Sequence, residues 1–315
     1  GVRTALFNWL YAKSNNGKFK LRIEDTDLKR STEDAKKTII NGLKWLNLNW
    51  DDEIVYQSKR LSRHTEIGIK LLESGHAYKC YSTPEELKAM REEAIKNKLP
   101  PKYNGYWRER DLKLAPSGVK PVIRIKSPIK GKTILKDLIQ GTIEVSNSEL
   151  DDFIIIRSDG TPTYMLSVVV DDYDMKISHI IRGHDHLTNT LRQQHIYNAL
   201  GWNIPIHAHI PLIHGSDGSK LSKRHGALGI EAYNEQGFLV NTMLNYLLRL
   251  GWSHGDEEII SIANAIKWFN IESIGKSPAK FDIERLNSLN SHYINVMGDS
   301  EVIKIITDSY AKKGE

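Results

Sequence analysis

The sequence predicts an α/β protein built around a split, doubly wound (Rossmann-type) domain. Strand-like apolar runs alternate with amphipathic helical segments at both ends of the chain, as in a parallel sheet covered by helices. Short β runs between about residues 120 and 157 interrupt this alternation, so we expect an inserted domain of mixed α/β structure. Helical periodicity in the last part of the chain indicates a further, mostly helical unit. The predicted segments are 1–78, 79–162, 163–237 and 238–315.

The composition is that of an ordinary globular protein, with 40% hydrophobic and 26% charged residues in a chain of 315. A net charge of +5 and a pI of about 9.0 are compatible with an RNA or nucleotide partner. The single cysteine, Cys80, excludes an internal disulfide and favours a reducing compartment. No apolar run is long enough to span a membrane, and the start at Gly1 has no signal-peptide pattern. We therefore expect a cytoplasmic protein.

Individual elements follow from periodicity, caps and turn residues. Strands are expected at Phe19–Ile23, Tyr78–Tyr81, Val122–Ile125, Thr142–Val145, Phe153–Ile156, Ile177–Ile181 and Ile210–Ile213. Helices are expected from residue 1 to before Ser14, at 32–46, at 58–72, from Thr83 to before Pro100, at 188–200, at 239–250, at 261–269, at 282–289 and at 301–310.

Polar clusters follow three of the predicted strands. They are Glu24–Asp27, Arg182–His186 and Lys220–Arg224. Ligands bind beyond the carboxyl ends of strands in an open α/β sheet, so three such clusters favour a binding site over scattered surface charge. A structural role is the alternative at the first cluster, because Asp27 or Ser31 could simply cap the helix at 32–46.

The third cluster is a cationic loop. Lys220, Lys223 and Arg224 follow a turn at Ser216–Gly218, in which Gly218 allows a positive φ. Such a loop suits a polyphosphate whose charge must be stabilised as it moves. A solvated surface charge cluster is the alternative.

Five motifs, in order along the chain, resemble those of bacterial glutamyl-tRNA synthetases. They are Phe19–Asp27, Ser158–Tyr164, Ile181–Thr190, Lys220–Arg224 and Asn245–Asp256. The resemblance covers essentially the whole chain. It implies a class I catalytic domain with an inserted domain that binds the tRNA acceptor end, followed by a helical domain that contacts the tRNA stem. It also implies the activation of L-glutamate by ATP and its transfer to tRNA.

The resemblance assigns roles to particular residues. For ATP with Mg²⁺ as substrate, it implies phosphate stabilisation by Lys220 and Lys223, with Lys223 as the main catalytic residue. The other residues implied at the nucleotide are Gly1, His186, Leu212, Ile213 and Arg224. For glutamate, it implies a carboxylate-binding Arg182, a pocket-lining Tyr164 and Glu24 near the ammonium group.

Each glutamate residue also has a plain structural reading. Tyr164 could be a core aromatic, and Arg182 could pair with Asp185 or Asp172. The nearby His184 and His186 have no distant third ligand in the sequence, so no metal is expected there.

The family's histidine signature and a glutamate-binding arginine are expected before Gly1, and its anticodon-binding domain after Glu315. Many relatives bind zinc in the insert through several cysteines. Only Cys80 is present here, so no zinc is expected.

The partners implied are tRNA(Glu), L-glutamate and ATP, with tRNA(Gln) as an open second substrate and a monomer as the expected state. Three other functions stay open. One is a paralogue that loads glutamate onto a modified base (queuosine) of tRNA(Asp). Another is glutaminyl specificity, which Arg182 disfavours because a cation prefers a carboxylate to an amide. The third is a non-catalytic tRNA-binding relative.

A basic and aromatic patch in the insert is a weaker indication of RNA binding. Its members are Lys96, Lys98, Lys102, Tyr103, Tyr106, Trp107, Arg108 and Arg110. A charged helix end followed by a loop is the plainer interpretation.

Overall fold

The computed structural model describes residues 1–26, 31–221 and 229–313, with side chains up to residue 307. Its helices are α1 (Val2–Ser14), α2 (Glu33–Trp45), α3 (Leu61–Glu73), α4 (Pro84–Lys96), α5 (Tyr164–Asp174), α6 (Leu187–Leu200), α7 (Ile230–Glu235), α8 (Val240–Arg249), α9 (Ile262–Trp268), α10 (Ile283–Asn295) and α11 (Asp299–Lys313). Its strands are β1 (Arg22–Ile23), β2 (Val55–Tyr56), β3 (Ala77–Cys80), β4 (Val122–Ile125), β5 (Lys132–Asp137), β6 (Gly141–Ser146), β7 (Ile154–Ile156), β8 (His179–Gly183), β9 (Ile206–Ile210), β10 (Ile213–His214) and β11 (Ala279–Lys280). The fold is therefore of mixed α/β class.

The chain forms two compact units. The first unit consists of Gly1–Leu21, Thr32–Glu53 and Ile210–Glu315, and the second consists of Arg22–Ser31 and Ile54–His209. This division does not test the four predicted segments, which stay a prediction.

The second unit holds most of the sheet structure. Strands β3, β4 and β7 form an antiparallel sheet, and a four-stranded sheet has the order β6-β5-β9-β8. In the latter, β5 runs antiparallel to β6 and parallel to β9, with Asp137 beside His207. That sheet therefore joins strands from both sides of the predicted boundary at residue 162. The apolar core of the second unit is formed by α3, α5 and α6 with the sheet of β3, β4 and β7. It is lined by Ile67, Leu71, Ile125, Ile155, Leu166, Val170 and Ile196.

The first unit is mainly helical. Helix α1 packs against α8 and α9, and the rings of Phe7 and Phe269 lie 5.6 Å apart. The buried guanidinium of Arg3 donates a hydrogen bond of 2.7 Å to the carbonyl of Leu250 and another to that of Pro211. The short parallel pair β10–β11 belongs to the same unit. Among the described residues, no helix combines the length and apolar character needed to cross a membrane.

The local signals for helix ends were mostly accurate. Thr83 and Glu86 form the expected capping box at the start of α4, and α6 ends at Gly201, whose φ of 66° suits glycine. The predicted caps of α2 were Asp27 and Ser31, but the N-cap residue is Thr32, whose hydroxyl accepts from the amide of Ala35. Asp27, one of the two predicted caps, lies outside the described residues.

Two strand predictions were wrong in extent. The strand expected at Phe19–Ile23 is reduced to β1, at its last two residues. The run expected at Ile210–Ile213 is not one strand, because β9 ends at Ile210 and β10 begins at Ile213. Pro211 lies between them and has no N–H to donate to a sheet.

Candidate functional site

The second unit brings together the three residues predicted to bind glutamate. Glu24 follows β1, Tyr164 is the first residue of α5, and Arg182 lies in β8. Burial raises the pKa of Tyr164, the charge of Glu24 raises it further, and the charge of Arg182 opposes this shift. Each charge acts on the phenol, so the three side chains share one electrostatic environment. Next to them, the Tyr164 hydroxyl lies 3.5 Å from His186 Nδ1.

The guanidinium of Arg182 is held along one edge by uncharged acceptors. Its Nε donates to His209 Nε2 at 3.3 Å, and its Nη2 donates to Gln193 Oε1 at 2.8 Å, to the hydroxyl of Thr190, and to the carbonyl of His186 at 3.4 Å. Burial lowers the pKa of Arg182. The cation is thus partly removed from water, and none of its hydrogen bonds within the described chain goes to a carboxylate.

A buried carboxylate–imidazole pair lies behind Arg182. His209 Nδ1 and Asp137 Oδ2 are 2.6 Å apart, and both side chains are fully buried. Burial lowers the pKa of His209 despite the opposing effect of Asp137. Although burial by itself raises the pKa of Asp137, the hydrogen bonds from His209 and two backbone amides lower it overall.

An ion pair lies in the same environment as Arg182. Arg22 donates to Asp172 Oδ1 at 2.6 Å and lies 3.4 Å from Glu24 Oε1. Burial raises the pKa of Asp172, and the charge of Arg22 opposes that shift. Asp172 therefore pairs with Arg22, so the predicted alternative of an Arg182–Asp172 pair is wrong. The carboxylate of Glu24 is exposed.

Helix α6 contributes polar groups that the sequence analysis did not single out. Gln193 Nε2 and the Tyr197 hydroxyl are buried, and neither has a hydrogen-bond partner among the described residues. Burial raises the pKa of Tyr197, and the charges of Asp172, Arg22 and Arg182 also act on it. Thr190, Gln193 and Tyr197 recur at helical spacing on a buried face. Their spacing of three and four residues was the signal in the sequence that could have revealed them, because it places all three on one face of a helix.

The predicted nucleotide-binding residues that the structure describes lie mainly in the first unit. Leu212 and Ile213 are half-buried, and their carbonyls accept from the amides of Ala279 and Leu221 at 3.1 and 2.8 Å. Those carbonyls are therefore engaged within the unit. Gly1 is the N-cap residue of α1.

The turn before the cationic loop is as predicted. Gly218 has a φ of 76°, and Asp217 accepts from the backbone amide of Ser219 at 2.9 Å. The side chain of Lys220 is exposed, and its backbone pairs with that of His214 in an isolated antiparallel β-bridge. Lys223 and Arg224 lie outside the described residues.

The described residues contain no group of three or more His, Cys, Asp or Glu that could hold a metal ion. Cys80 is buried and lies 3.4 Å from the Tyr103 hydroxyl. The absence of zinc and of a metal at His184 and His186 stays a prediction.

The basic and aromatic patch is partly core. Tyr103 and Trp107 are buried, and Arg108 pairs with Asp152 at 2.8 Å. At the surface, the guanidinium of Arg110 lies 4.3 Å from the ring centre of the exposed Tyr106. These members of the patch therefore have a structural role, and RNA binding by the others stays a prediction.

Comparison with known proteins agrees with the motifs. A family model described as tRNA synthetases class I (E and Q), catalytic domain, matches residues 1–288. The chain is 55% identical to glutamate–tRNA ligase 2 of Rhodospirillum centenum over 99% of its own length and 67% of that protein's. It is 58% identical to glutamate–tRNA ligase 1 of Bartonella bacilliformis over 96% of its own length and 63% of that protein's.

A solved structure is also similar. It is a glutamate–tRNA ligase from Elizabethkingia meningosepticum in complex with its amino acid, with 31% identity, a TM-score of 0.89, and coverage of 99% of this chain and 70% of that one. These matches confirm the resemblance found in the sequence motifs. The chain belongs to the family of class I tRNA synthetases for glutamate and glutamine, and it matches the catalytic domain of that family.

Proposed function

We propose that the protein containing this chain is a glutamate–tRNA ligase. It activates L-glutamate with ATP and transfers the glutamyl group to the 3′ end of tRNA(Glu). One observation carries this proposal: Arg182 is a half-buried cation whose hydrogen bonds all go to uncharged acceptors within the described chain. The charges of Asp172 and Glu24 act on Arg182, but neither carboxylate accepts a hydrogen bond from it. A partly desolvated cation is costly, and an incoming carboxylate offsets that cost.

The neighbouring groups fit the side-chain carboxylate of glutamate. Gln193 Nε2 and the Tyr197 hydroxyl are hydrogen-bond donors without partners among the described residues. Together with the guanidinium of Arg182, they offer donors to an acceptor-only group. An amide would present its own NH₂ to such donors, so this pocket favours glutamate over glutamine.

The other end of the amino acid needs an acidic contact. Glu24 is exposed at the end of β1 and shares the electrostatic environment of Tyr164. We assign the substrate ammonium group to Glu24 and a wall of the pocket to Tyr164. His186 stands beside Tyr164 and remains a candidate for contact with the nucleotide.

In the first step, an oxygen of the glutamate α-carboxylate attacks the α-phosphorus of ATP. The bond to the bridging oxygen breaks, and pyrophosphate leaves with the negative charge. Lys220, Lys223 and Arg224 supply cations for that charge, and Mg²⁺ enters with ATP as part of the substrate. In the second step, a terminal ribose hydroxyl of the tRNA attacks the glutamyl carbonyl, and AMP leaves.

The finer architecture belongs to the same proposal. We assign the residues at 79–162 to an inserted domain that binds the tRNA acceptor end and splits a doubly wound catalytic domain, and those at 238–315 to contact with the tRNA stem. The chain spans 63 to 67% of the length of the two ligases compared above. A monomeric state and a cytoplasmic location are further predictions.

Aminoacylation with labelled glutamate, on separate tRNA(Glu) and tRNA(Gln), tests the function. Charging of tRNA(Glu) is the expected result. Charging of tRNA(Gln) as well would identify a non-discriminating enzyme. If neither is charged while tRNA(Asp) accepts glutamate, the queuosine paralogue is the correct assignment. A folded protein that binds tRNA but charges none of the three contradicts an enzymatic role.

A further inference from the structure

We propose that Asp137 and His209 are positioning residues, which fix the guanidinium of Arg182 in the orientation that binds the substrate carboxylate. This inference rests on the proposed function. The two residues lie on the neighbouring parallel strands β5 and β9. His209 contacts Arg182 and Thr190, and Asp137 contacts His209. Of the residues assigned to glutamate, the pair therefore contacts Arg182.

Asp137 is a fixed anchor. Its Oδ1 accepts from the backbone amides of Ile139, Gln140 and His209 at 3.0, 2.8 and 3.1 Å. Its Oδ2 lies 2.6 Å from His209 Nδ1. Both oxygens are thus engaged, and the carboxylate holds one orientation because backbone groups on two sides define it.

The anchor determines the tautomer of His209. With Asp137 ionised, Nδ1 carries the proton and donates to it, so Nε2 of the neutral ring has a free lone pair. That lone pair faces Arg182 Nε at 3.3 Å and the Thr190 hydroxyl at 3.0 Å. A proton on Nε2 would instead point at the guanidinium. Burial favours the neutral ring, as do the charges of Arg182 and His184, whereas the charge of Asp137 favours the cation.

The result is a guanidinium clamped along one edge. His209 holds Nε, while Thr190 and Gln193 hold Nη2. Nη1 of Arg182 donates to no group in the described part of the chain. A forked guanidinium binds a carboxylate well only when its plane is correctly oriented. Asp137 and His209 therefore act on glutamate binding through Arg182, without contacting the substrate themselves.

Two substitutions at one position separate positioning from packing. His209→Asn keeps a side-chain N–H near the position of Nδ1, toward Asp137, but removes the acceptor for Arg182. His209→Gln places its amide oxygen near the position of Nε2 and so keeps that acceptor. His207→Asn is the matched control, because His207 is a buried histidine of the same strand whose side chain makes no hydrogen bond to Arg182 or Asp137.

The assay is tRNA-dependent ATP–pyrophosphate exchange by the full protein, with KM measured separately for glutamate and ATP. We expect His209→Asn to raise the KM for glutamate on the order of tenfold or more, since a hydrogen bond to a charged group is lost. His209→Gln and His207→Asn should change it less than about threefold, and the KM for ATP should be constant throughout. Equal effects of Asn and Gln at position 209, or none from either, overturn the positioning role.

A second measurement does not depend on the variants folding. Nitrogen NMR of the wild-type protein with labelled histidine reports the tautomer of His209. We expect the Nδ1–H form at neutral pH, and an Nε2–H or doubly protonated ring would contradict the proposal. Failure of the wild-type protein to support exchange counts against the proposed function. Normal exchange with insensitive variants counts only against the role of Asp137 and His209.

Discussion

Replacement of Arg182 by alanine perturbs the amino-acid pocket at its most specific group. The change removes a cation with four hydrogen bonds to uncharged acceptors in the described chain. A hydrogen bond to a charged group contributes about 1.5–3 kcal/mol, and loss of one partner of a buried ion pair costs about 3–5 kcal/mol. A loss of roughly 3–4 kcal/mol corresponds to a decrease on the order of 10²–10³-fold in kcat/KM for glutamate.

The assay is pyrophosphate exchange in the presence of tRNA, with glutamate varied at saturating ATP and then ATP varied at saturating glutamate. We expect the KM for ATP to change little, because the proposal assigns Arg182 to the side-chain carboxylate of glutamate and assigns no contact with the nucleotide to it. Arg182→Lys should fall between wild type and alanine, since an ammonium group keeps the charge but loses the fork.

Arg157→Ala is a suitable control, because Arg157 is an exposed arginine of the same unit whose hydrogen bonds go to Thr161 and Pro162. It should behave like wild type. An equal loss for glutamate and ATP in Arg182→Ala, or glutamate kinetics unchanged from wild type, would refute the assignment of the carboxylate to Arg182.

Three other perturbations test stability, pH dependence and the cationic loop. Asp171→Ala should lower the free energy of unfolding by about 3–5 kcal/mol in urea titrations. The reason is that this fully buried carboxylate accepts hydrogen bonds from Gln57, Arg60 and His64 at 2.6–3.0 Å. A change below about 1 kcal/mol would contradict a structural role. Burial lowers the pKa of His207 to about 3, so the unfolded chain takes up a proton first as the pH falls below about 6.5. Stability should therefore decline from that pH toward 3, and His207→Phe should flatten the decline; an unchanged slope would show that His207 does not titrate on unfolding. Lys223→Ala should reduce kcat for exchange by roughly 10²-fold or more with little change in the KM for glutamate, and a purely glutamate-dependent defect would exclude a role at the phosphates.

Helix boundaries were predictable where a single residue type determines them. The Thr83 hydroxyl satisfies the amide of Glu86, and Gly201 tolerates a left-handed conformation, so both ends follow from local chemistry. Strand β5 had no such signal. Its buried positions are Thr133, Leu135 and Asp137, while Ile134 is exposed, so the apolar alternation of a half-buried strand is missing from the sequence.

In the site, too, residues in local motifs could be predicted from the sequence, whereas residues that depend on strand pairing could not. Tyr164 and Arg182 stood out because they lie in recognisable motifs next to turns. The Asp137–His209 pair could not be found in that way, because its members are 72 residues apart and meet only through the pairing of β5 with β9. Gln193 gave a weaker signal, since a polar residue on a helix is unremarkable until that face of the helix is known to be buried.

The most direct test of the central claim is a crystal structure of the protein with L-glutamate bound. We expect the side-chain carboxylate within about 3.2 Å of the guanidinium of Arg182, with Gln193 Nε2 or the Tyr197 hydroxyl as a second donor, and the ammonium group toward Glu24. Glutamate bound elsewhere in the chain, or bound with its side-chain carboxylate away from Arg182, would contradict the account.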